Sequence, residues 1–340
     1  MATLIECTDL VKIHRGRGLG GARHGFRAVD GVSLAIERTG SFGLVGESGC
    51  GKTTLARALL HLDPPTSGSV RFDGIALESL GRKELRGFRK RMQIVFQDPN
   101  SALDPKMSIH DSLSEGLINR KISKDERTKR IKDLLELVGI SYAYRNRYPH
   151  EFSGGQKQRI VVARALSMEP DFLLLDEPVS NLDVSIQAQI INLLSDLKKE
   201  FSLTYLFISH DLNLVSYMCD TIGVMFKGKI VEQAPTELLV SRPRHPYTRR
   251  LLASVPGGSL RAAAVRADAL RADVQELSLV EESIETLAAR DLERRSASGC
   301  PYYPHCPLGD GECSLSAPSL RELSGGHVVS CHKIGTGNDR

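Results

Sequence analysis

The stretch GESGCGKT at residues 46–53 decides the fold of this chain. It follows the short apolar run SFGLV at 41–45, and its last residue begins the helix-forming stretch TTLARALLHL at 53–62. A strand, a glycine-rich loop and a helix in this order are typical of a P-loop, whose backbone N–H groups surround phosphate oxygens. The pattern therefore predicts an α/β fold with a phosphate site. The predicted phosphate contacts are Gly46, Glu47, Ser48, Gly49, Cys50, Gly51, Lys52, Thr53 and Thr54.

A second, acidic motif matches the P-loop and indicates that the bound phosphate belongs to a nucleotide that is hydrolysed. FLLLDEP at 172–178 has four apolar residues followed by acids, which predicts a buried parallel strand. Ligands of α/β sheets bind at the carboxyl ends of the strands, where Asp176 and Glu177 would lie. Asp176 is predicted to hold Mg²⁺ together with Thr53, and Glu177 to orient the attacking water as general base. Lys52 is predicted to reach the β- and γ-phosphates.

The segment between these two motifs is predicted to be mostly helical. Residues 76–150 hold little strand signal apart from MQIVF at 92–96. ISKDERTKRIKDLLELVGI at 122–140 has apolar residues at helical spacing, and Ser123 with Glu126 matches a capping box at the helix start. We therefore expect a helical insertion in the α/β core.

A second anion site is predicted where this insertion ends. In YPHEFSGGQKQRIVVARAL at 148–166, Ser153, Gly154 and Gly155 precede a basic amphipathic helix. The serine hydroxyl, the glycine N–H groups and the positive end of the helix dipole favour an anion there. Because the chain already has a P-loop, this second site is interpreted as one that closes over the nucleotide of another copy.

The composition is that of an ordinary soluble protein. The chain has 340 residues, 41% of them apolar and 25% charged, and a net charge of +4, which is too weak to indicate a nucleic-acid partner. No apolar run approaches the roughly 18 residues of a membrane span, and the N-terminus lacks a secretory apolar core. We therefore expect the chain to stay in the cytosol and to meet a membrane only through partner subunits.

On these motifs the sequence resembles the ATP-binding cassette (ABC) ATPases over residues 4 to about 255. The resemblance implies a RecA-like parallel sheet with an antiparallel β subdomain and a helical subdomain at about 98–168. FSGGQ at 152–156 is similar to the family's signature motif and SNLD at 180–183 to its D-loop. The site residues that the resemblance implies are Gln97 (Q-loop, also toward Mg²⁺), Ser153, Gly154, Gly155 and Gln156 (signature), Asp183 (D-loop), His210 (switch histidine) and His14 (adenine contact).

A narrower resemblance is to the ATPases of oligopeptide and dipeptide importers. RPRHPYTRRLLASVP at 242–256 and FQDPNSALDPKMSI at 96–109 are similar to that subfamily, and DVSIQAQI at 183–190 to its second, F-type ATPase. The resemblance implies a head-to-tail heterodimer with a sister ATPase, two permease subunits and an extracytoplasmic solute-binding protein, at the cytoplasmic face of the inner membrane. Nickel, glutathione or another small solute is the alternative cargo. A soluble ABC ATPase acting on nucleic acid or ribosomes is the remote alternative.

The end of the chain concentrates four of its seven cysteines, namely Cys300, Cys306, Cys313 and Cys331. In a reducing cytosol, four thiolates in a short Gly- and Pro-rich segment suit zinc or an iron–sulfur cluster. The resemblance to peptide importers favours a [4Fe-4S] cluster, with Zn²⁺ as the alternative that His305 and His332 keep open, and free thiols as the third reading. The predicted domains are 1–256 (ATPase), 257–298 (an amphipathic helical linker or a flexible one) and 299–340 (cysteine module).

Overall fold

A computed structural model of the protein describes residues 2–15, 25–254 and 298–334. The strands are β1 (Thr3–Arg15), β2 (Gly25–Glu37), β3 (Ser41–Val45), β4 (Ser67–Phe72), β5 (Ile75–Ala76), β6 (Met92–Val95), β7 (Phe172–Asp176), β8 (Thr204–Ser209), β9 (Thr221–Phe226), β10 (Lys229–Pro235), β11 (Arg321–Glu322) and β12 (Val328–Val329). The helices are α1 (Lys52–Leu59), α2 (Arg82–Arg91), α3 (Pro99–Ala102), α4 (Ile109–Asn119), α5 (Lys124–Leu137), α6 (Gly154–Leu166), α7 (Val184–Glu200), α8 (Leu212–Met218), α9 (Thr236–Ser241), α10 (Pro246–Ala253) and α11 (Gly311–Leu315). Of the predicted linker helix, residues 257–297 lie outside the described residues.

The chain divides into two compact units. The first comprises the described residues of Met1–Lys12, Ser33–Phe42 and Thr53–Ser209, and the second those of Ile13–Val32, Gly43–Lys52 and His210–Arg340. The P-loop stretch is therefore shared, with its glycines and Lys52 in the second unit and Thr53 in the first.

The first unit is built on three parallel strands in the order β6–β7–β8. In β7 all five positions are buried, as expected for a strand covered on both faces. Leu174 pairs with Ile94 of β6 and with Leu206 of β8. The N–H of Tyr205 donates to the carbonyl of Gly40 at 3.0 Å, so β8 runs beside the chain that leads into β3. Asp176 is the last residue of β7, at the carboxyl end that the sequence predicted.

The first unit also holds an antiparallel layer and four of the helices between β6 and β7. Strand β4 pairs with β1 and with β5, both antiparallel. The predicted helix at 122–140 is observed as α5, and the Ser123 side chain caps it by accepting the N–H of Glu126 at 3.4 Å. The Glu126 carboxylate instead pairs with Arg130 at 2.9 Å, one turn further on. The cap therefore forms as predicted, while the acid of the predicted box serves an i,i+4 ion pair.

The second unit joins the cysteine-rich end of the chain to an antiparallel ribbon. Strand β10 pairs with β9 on one side and with β12 on the other, through Glu232↔Val329 and Gln233↔Val328. His327 Nε2 lies 2.6 Å from the Glu232 carboxylate, and both side chains are almost fully buried. Strand pairing and this buried contact fix the last described segment to β10.

Two further observations concern the length of the described helices and the pairing of the cysteines. No helix within 2–15, 25–254 and 298–334 is both long and apolar enough to cross a membrane. All seven cysteines lie in these ranges, and none is joined to another by a disulfide.

Candidate functional site

The P-loop backbone takes a shape that only glycine permits at two positions of the second unit. Gly46 and Gly51 have φ of 156° and 111°. A Cβ atom at Gly51 would lie 2.1 Å from the carbonyl oxygen of Ala28, and one at Gly46 would lie 2.2 Å from that of Met225. Both contacts are with backbone, which a side-chain movement cannot relieve. The two glycines therefore let the loop pass close to neighbouring chain while its amides stay available to a ligand.

Lys52 lies under this loop. Its side chain is buried, and Nζ donates to the carbonyls of Gly46 at 2.7 Å and Glu47 at 2.9 Å. Residues 47–49 at the tip of the loop are exposed. Burial raises the pKa of the neighbouring Cys50 thiol, which keeps it protonated. The loop thus places one buried cation beneath exposed backbone, which fits a phosphate group.

In the first unit, Thr53 and Asp176 come together. The Thr53 hydroxyl donates to the Asp176 carboxylate at 3.2 Å, and Asp176 is buried with 7% of its surface exposed. A hydroxyl and a carboxylate are hard oxygen donors of the kind that Mg²⁺ prefers. These two residues therefore fit the predicted magnesium site.

Gln97 and Glu177 also come together in the first unit. Gln97 Nε2 lies 3.4 Å from a Glu177 carboxylate oxygen and 3.1 Å from the Ser180 hydroxyl. Glu177 has φ of 48°, which is costly for a residue other than glycine, and its N–H donates to the Ile208 carbonyl at 2.9 Å. The backbone of Glu177 is therefore held in a strained conformation beside β8, with its carboxylate close to Gln97. Ser180 was not predicted as its neighbour, although it belongs to the D-loop stretch.

The predicted signature residues form the start of α6. Ser153 accepts the N–H of Gln156 at 3.3 Å, and the Gln156 amide oxygen accepts the N–H of Ser153 at 3.0 Å, a complete capping box. A Cβ atom at Gly155 would lie 2.5 Å from the Ile186 side chain, and one at Gly154 would lie 3.4 Å from Leu182. The turn therefore packs against residues 182–186 of the same unit.

The remaining predicted residues of the ATP site lie at the ends of strands and helices. Asp183 is the N-cap residue of α7, although its side chain caps no N–H. In the second unit, His14 is exposed near the end of β1, and His210 is exposed immediately after β8. The roles of these three residues stay predictions.

The four C-terminal cysteines lie in one module of the second unit. Cys300 N–H donates to the Cys313 carbonyl at 2.8 Å, and the thiols of Cys300, Cys306 and Cys331 each interact electrostatically with at least one other of the four. Burial raises the pKa of these three thiols, that of Cys306 to about 11. Four soft donors in one module suit an iron–sulfur cluster or zinc in kind. However, no three His, Cys, Asp or Glu residues in the described part of the chain are grouped closely enough to hold a metal ion.

The alternative zinc ligand His332 is engaged elsewhere. Its Nε2 lies 3.0 Å from the Ser316 carbonyl and its Nδ1 lies 3.4 Å from the Glu312 carboxylate. Both ring nitrogens therefore face other residues of the module.

Two family models match the chain. Residues 29–180 match the family described as ABC transporter, and residues 231–313 match the oligopeptide/dipeptide transporter C-terminal region. The oligopeptide transport ATP-binding protein AppF of Bacillus subtilis is 40% identical over 334 residues, which cover 97% of each chain. OppF of the same organism, another oligopeptide transport ATP-binding protein, is 51% identical over 233 residues, or 68% of this chain and 76% of OppF.

Solved structures with the same fold include ABC cassettes. CbiO1 of Clostridium perfringens, part of the ABC transporter complex CbiONQ, superposes with a TM-score of 0.63 at 27% identity over 81% of this chain and 99% of that one. The dimeric post-hydrolysis state of the cassette MJ0796, bound to ADP and Pi, gives 0.62 at 27% identity over 68% of this chain and 99% of that one. The predicted ABC-type α/β fold is therefore confirmed.

Proposed function

The chain belongs to the ABC transporter ATP-binding family, within the branch that carries the oligopeptide/dipeptide transporter C-terminal region, and we propose that it hydrolyses ATP to drive peptide import. The observation that carries this proposal is the joint presence of a formed P-loop and that C-terminal region in one chain. A relative that matches this chain over 97% of its length is named as an oligopeptide transport ATP-binding protein. A working ATPase is supported because each residue type that the chemistry needs is present.

Binding of ATP is assigned to the P-loop and its neighbours. Lys52 would exchange its bonds to two loop carbonyls for the β- and γ-phosphates, and the loop amides would hold the phosphate oxygens. Thr53 and Asp176, with Gln97, would hold Mg²⁺. That ion neutralises charge that develops on the phosphate oxygens.

Hydrolysis is assigned to Glu177 as the general base. Its carboxylate would accept a proton from the attacking water, and Gln97, already within 3.4 Å of it, would orient that water. The His210 imidazole would donate to the γ-phosphate. The closeness of Gln97 and Glu177, immediately after β7, supports the roles given to these two residues.

The signature residues are proposed to complete the site of a second ATPase. Ser153 and Gly154 are exposed at the first turn of α6, and a helix start of this kind favours an anion. ABC ATPases act as dimers, and here the partner would be a sister ATPase in a head-to-tail heterodimer. Asp183 and His14 are proposed to contact the partner and the adenine, respectively.

A cleft in the first unit is proposed to receive the permeases. Its volume is about 480 Å³, and it begins directly before the Q-loop glutamine, at Phe96. Leu103 and Met107 supply apolar lining, while Arg164 pairs with Glu115 at 3.0 Å along it. A lining that mixes apolar side chains with polar and charged ones fits a short amphipathic helix of a permease. Through this contact the chain would be held at the cytoplasmic face of the inner membrane.

The cargo is tested by reconstitution. The chain, its sister ATPase and the two permeases are placed in liposomes with the extracytoplasmic solute-binding protein. ATP hydrolysis should rise severalfold with peptide-loaded binding protein, because loading favours the closed dimer. The same complex with Ser153→Ala should lose this rise. Stimulation by nickel or glutathione and by no peptide would overturn the peptide cargo while leaving the ATPase intact.

The cysteine module is proposed to hold a [4Fe-4S] cluster through Cys300, Cys306, Cys313 and Cys331. The support is the donor set and its confinement to one module, and such a cluster would act as a staple for a segment too short to have a large core.

The composition of the metal site is measured on the purified chain. Protein purified without oxygen should be brown, with about four iron and four sulfide per chain, the stoichiometry of such a cluster. Cys306→Ser should lose most of the iron, whereas Cys219→Ala, which changes a buried cysteine outside the module, should keep it. One zinc per chain in a colourless protein would show that the module binds zinc, the alternative metal, and not a cluster. A metal-free, folded wild-type protein would contradict both.

A further inference from the structure

Two tyrosines from the last third of the chain pack beside the P-loop. Tyr247, in α10, is fully buried, and its hydroxyl accepts the N–H of Glu47 at 3.1 Å. Burial raises its pKa, so it stays a neutral phenol. This bond ties the loop, one residue after Gly46, to a helix that lies 200 residues further along the chain.

Tyr302 belongs to the cysteine module and packs directly on this tyrosine. Its ring centroid lies 5.4 Å from that of Tyr247 and 5.3 Å from that of Phe226, and only 3% of Tyr302 is exposed. Arg250 donates to its hydroxyl, although burial still raises the pKa of Tyr302. Aromatic contacts of this geometry stabilise a packed cluster beyond the area they bury.

The ring of Tyr302 also lines a cavity next to the P-loop. A cavity of about 400 Å³ is lined by residues 47–50 on one side and by Tyr302 with Arg250 on another. The turn that carries Tyr302 is closed by Tyr303 N–H donating to the Cys300 carbonyl at 3.0 Å. The position of the cysteine turn and that of the loop are therefore linked through one short chain of contacts.

We propose that Tyr302 is a positioning residue for the P-loop and acts through Tyr247. The cysteine module would then determine how far the P-loop is pre-organised to bind nucleotide. The proposal rests on the assignment of the loop to ATP. Beyond that assignment, the proposal states that the cysteine module, which lies outside the ATPase core, controls the affinity for nucleotide, whichever metal the module holds.

The proposal predicts that truncation of Tyr302 lowers the affinity for nucleotide more than it lowers the rate of turnover. A loop held in its binding shape loses little conformational entropy when phosphate binds, whereas a released loop must be ordered by the ligand. Truncating Tyr302 leaves a hole beside Tyr247 and Phe226, into which the tyrosine that anchors Glu47 can move. Glu177, the proposed base, belongs to the first unit and is not part of this cluster. The ATP-saturated rate should therefore change little.

The test compares three variants of the full chain by calorimetric titration with Mg-ADP. Tyr302→Ala should weaken ADP binding about tenfold, since a loop that loses roughly 1.4 kcal/mol of pre-organisation loses that factor. Tyr302→Phe keeps the ring contacts and should stay within about twofold of wild type. Tyr217→Ala removes a tyrosine of the same unit that is 66% exposed, and it should change nothing.

Two readouts separate positioning from general damage. Amide hydrogen exchange at residues 46–52 should become faster in Tyr302→Ala, and kcat at saturating ATP should stay within about threefold while KM rises. If the alanine variant does not fold, Tyr302→Leu, which keeps apolar volume, replaces it with the same expectations.

Wild-type affinity in Tyr302→Ala, or an equal loss in Tyr217→Ala, would overturn the inference. Absence of ADP binding in the wild type would instead overturn the proposed function.

Discussion

Glu177→Gln is expected to lower kcat for ATP hydrolysis about 10³-fold, a typical contribution of a general base, while nucleotide still binds. The amide cannot take the proton of the attacking water, but it keeps the size of the carboxylate and can still accept from Gln97 Nε2, now 3.4 Å away. The P-loop amides and Lys52 are unchanged. Phosphate release under saturating ATP and titration with Mg-ATP measure the two quantities separately.

The matched control for this prediction is Glu200→Gln, at the exposed end of α7 in the same unit. It makes the same chemical change away from the site and should leave both kcat and affinity at wild-type values. Near-normal hydrolysis in Glu177→Gln would remove Glu177 from the role of base. A parallel loss of ATP binding would show that its carboxylate serves the fold of the site instead.

The sequence was sufficient wherever local pattern decides structure. SFGLV and FLLLD are runs of apolar residues with no alternation, and both are strands with every position buried. The glycines of the P-loop were predicted as phosphate contacts, and two of them are held so close to other backbone that no side chain would fit. Ser123 and Ser153 were predicted to start helices and do so, because a cap depends only on the next three residues.

The sequence was insufficient where distant segments meet. Arg130, which pairs with Glu126 one turn away, also pairs with Glu169, and nothing in the local pattern around 122–140 indicated that second contact. The bond from Glu47 to Tyr247 and the addition of β12 to β10 each join segments about 100 to 200 residues apart. Cysteine spacing gave a donor set but no geometry, and the described residues do not group these thiols as metal ligands. Such contacts depend on tertiary packing, which one sequence does not record.

Gly51→Ala is expected to weaken nucleotide binding by at least about 100-fold, because it adds both steric and dihedral strain to the loop. At φ of 111° an alanine is strained in any surroundings, and its Cβ would lie 2.1 Å from the Ala28 carbonyl oxygen and 2.9 Å from the Met225 methyl group. The methyl group can move, but the carbonyl belongs to β2. The loop must therefore shift, and the amides that it aims at phosphate shift with it.

Gly87→Ala is the control that separates this strain from the loss of a glycine as such. Gly87 is exposed in α2, a Cβ atom there would meet no other atom within 4 Å, and its φ is not positive, so alanine should be neutral or stabilising by about 0.5–1 kcal/mol. Calorimetric titration with Mg-ADP and thermal unfolding of both variants give affinity and stability. Because the strain is confined to the loop, Gly51→Ala should remain folded while its affinity falls. ADP binding within a few-fold of wild type in a folded Gly51→Ala protein would mean that the loop tolerates the shift, and the steric account of the phosphate site would then be wrong.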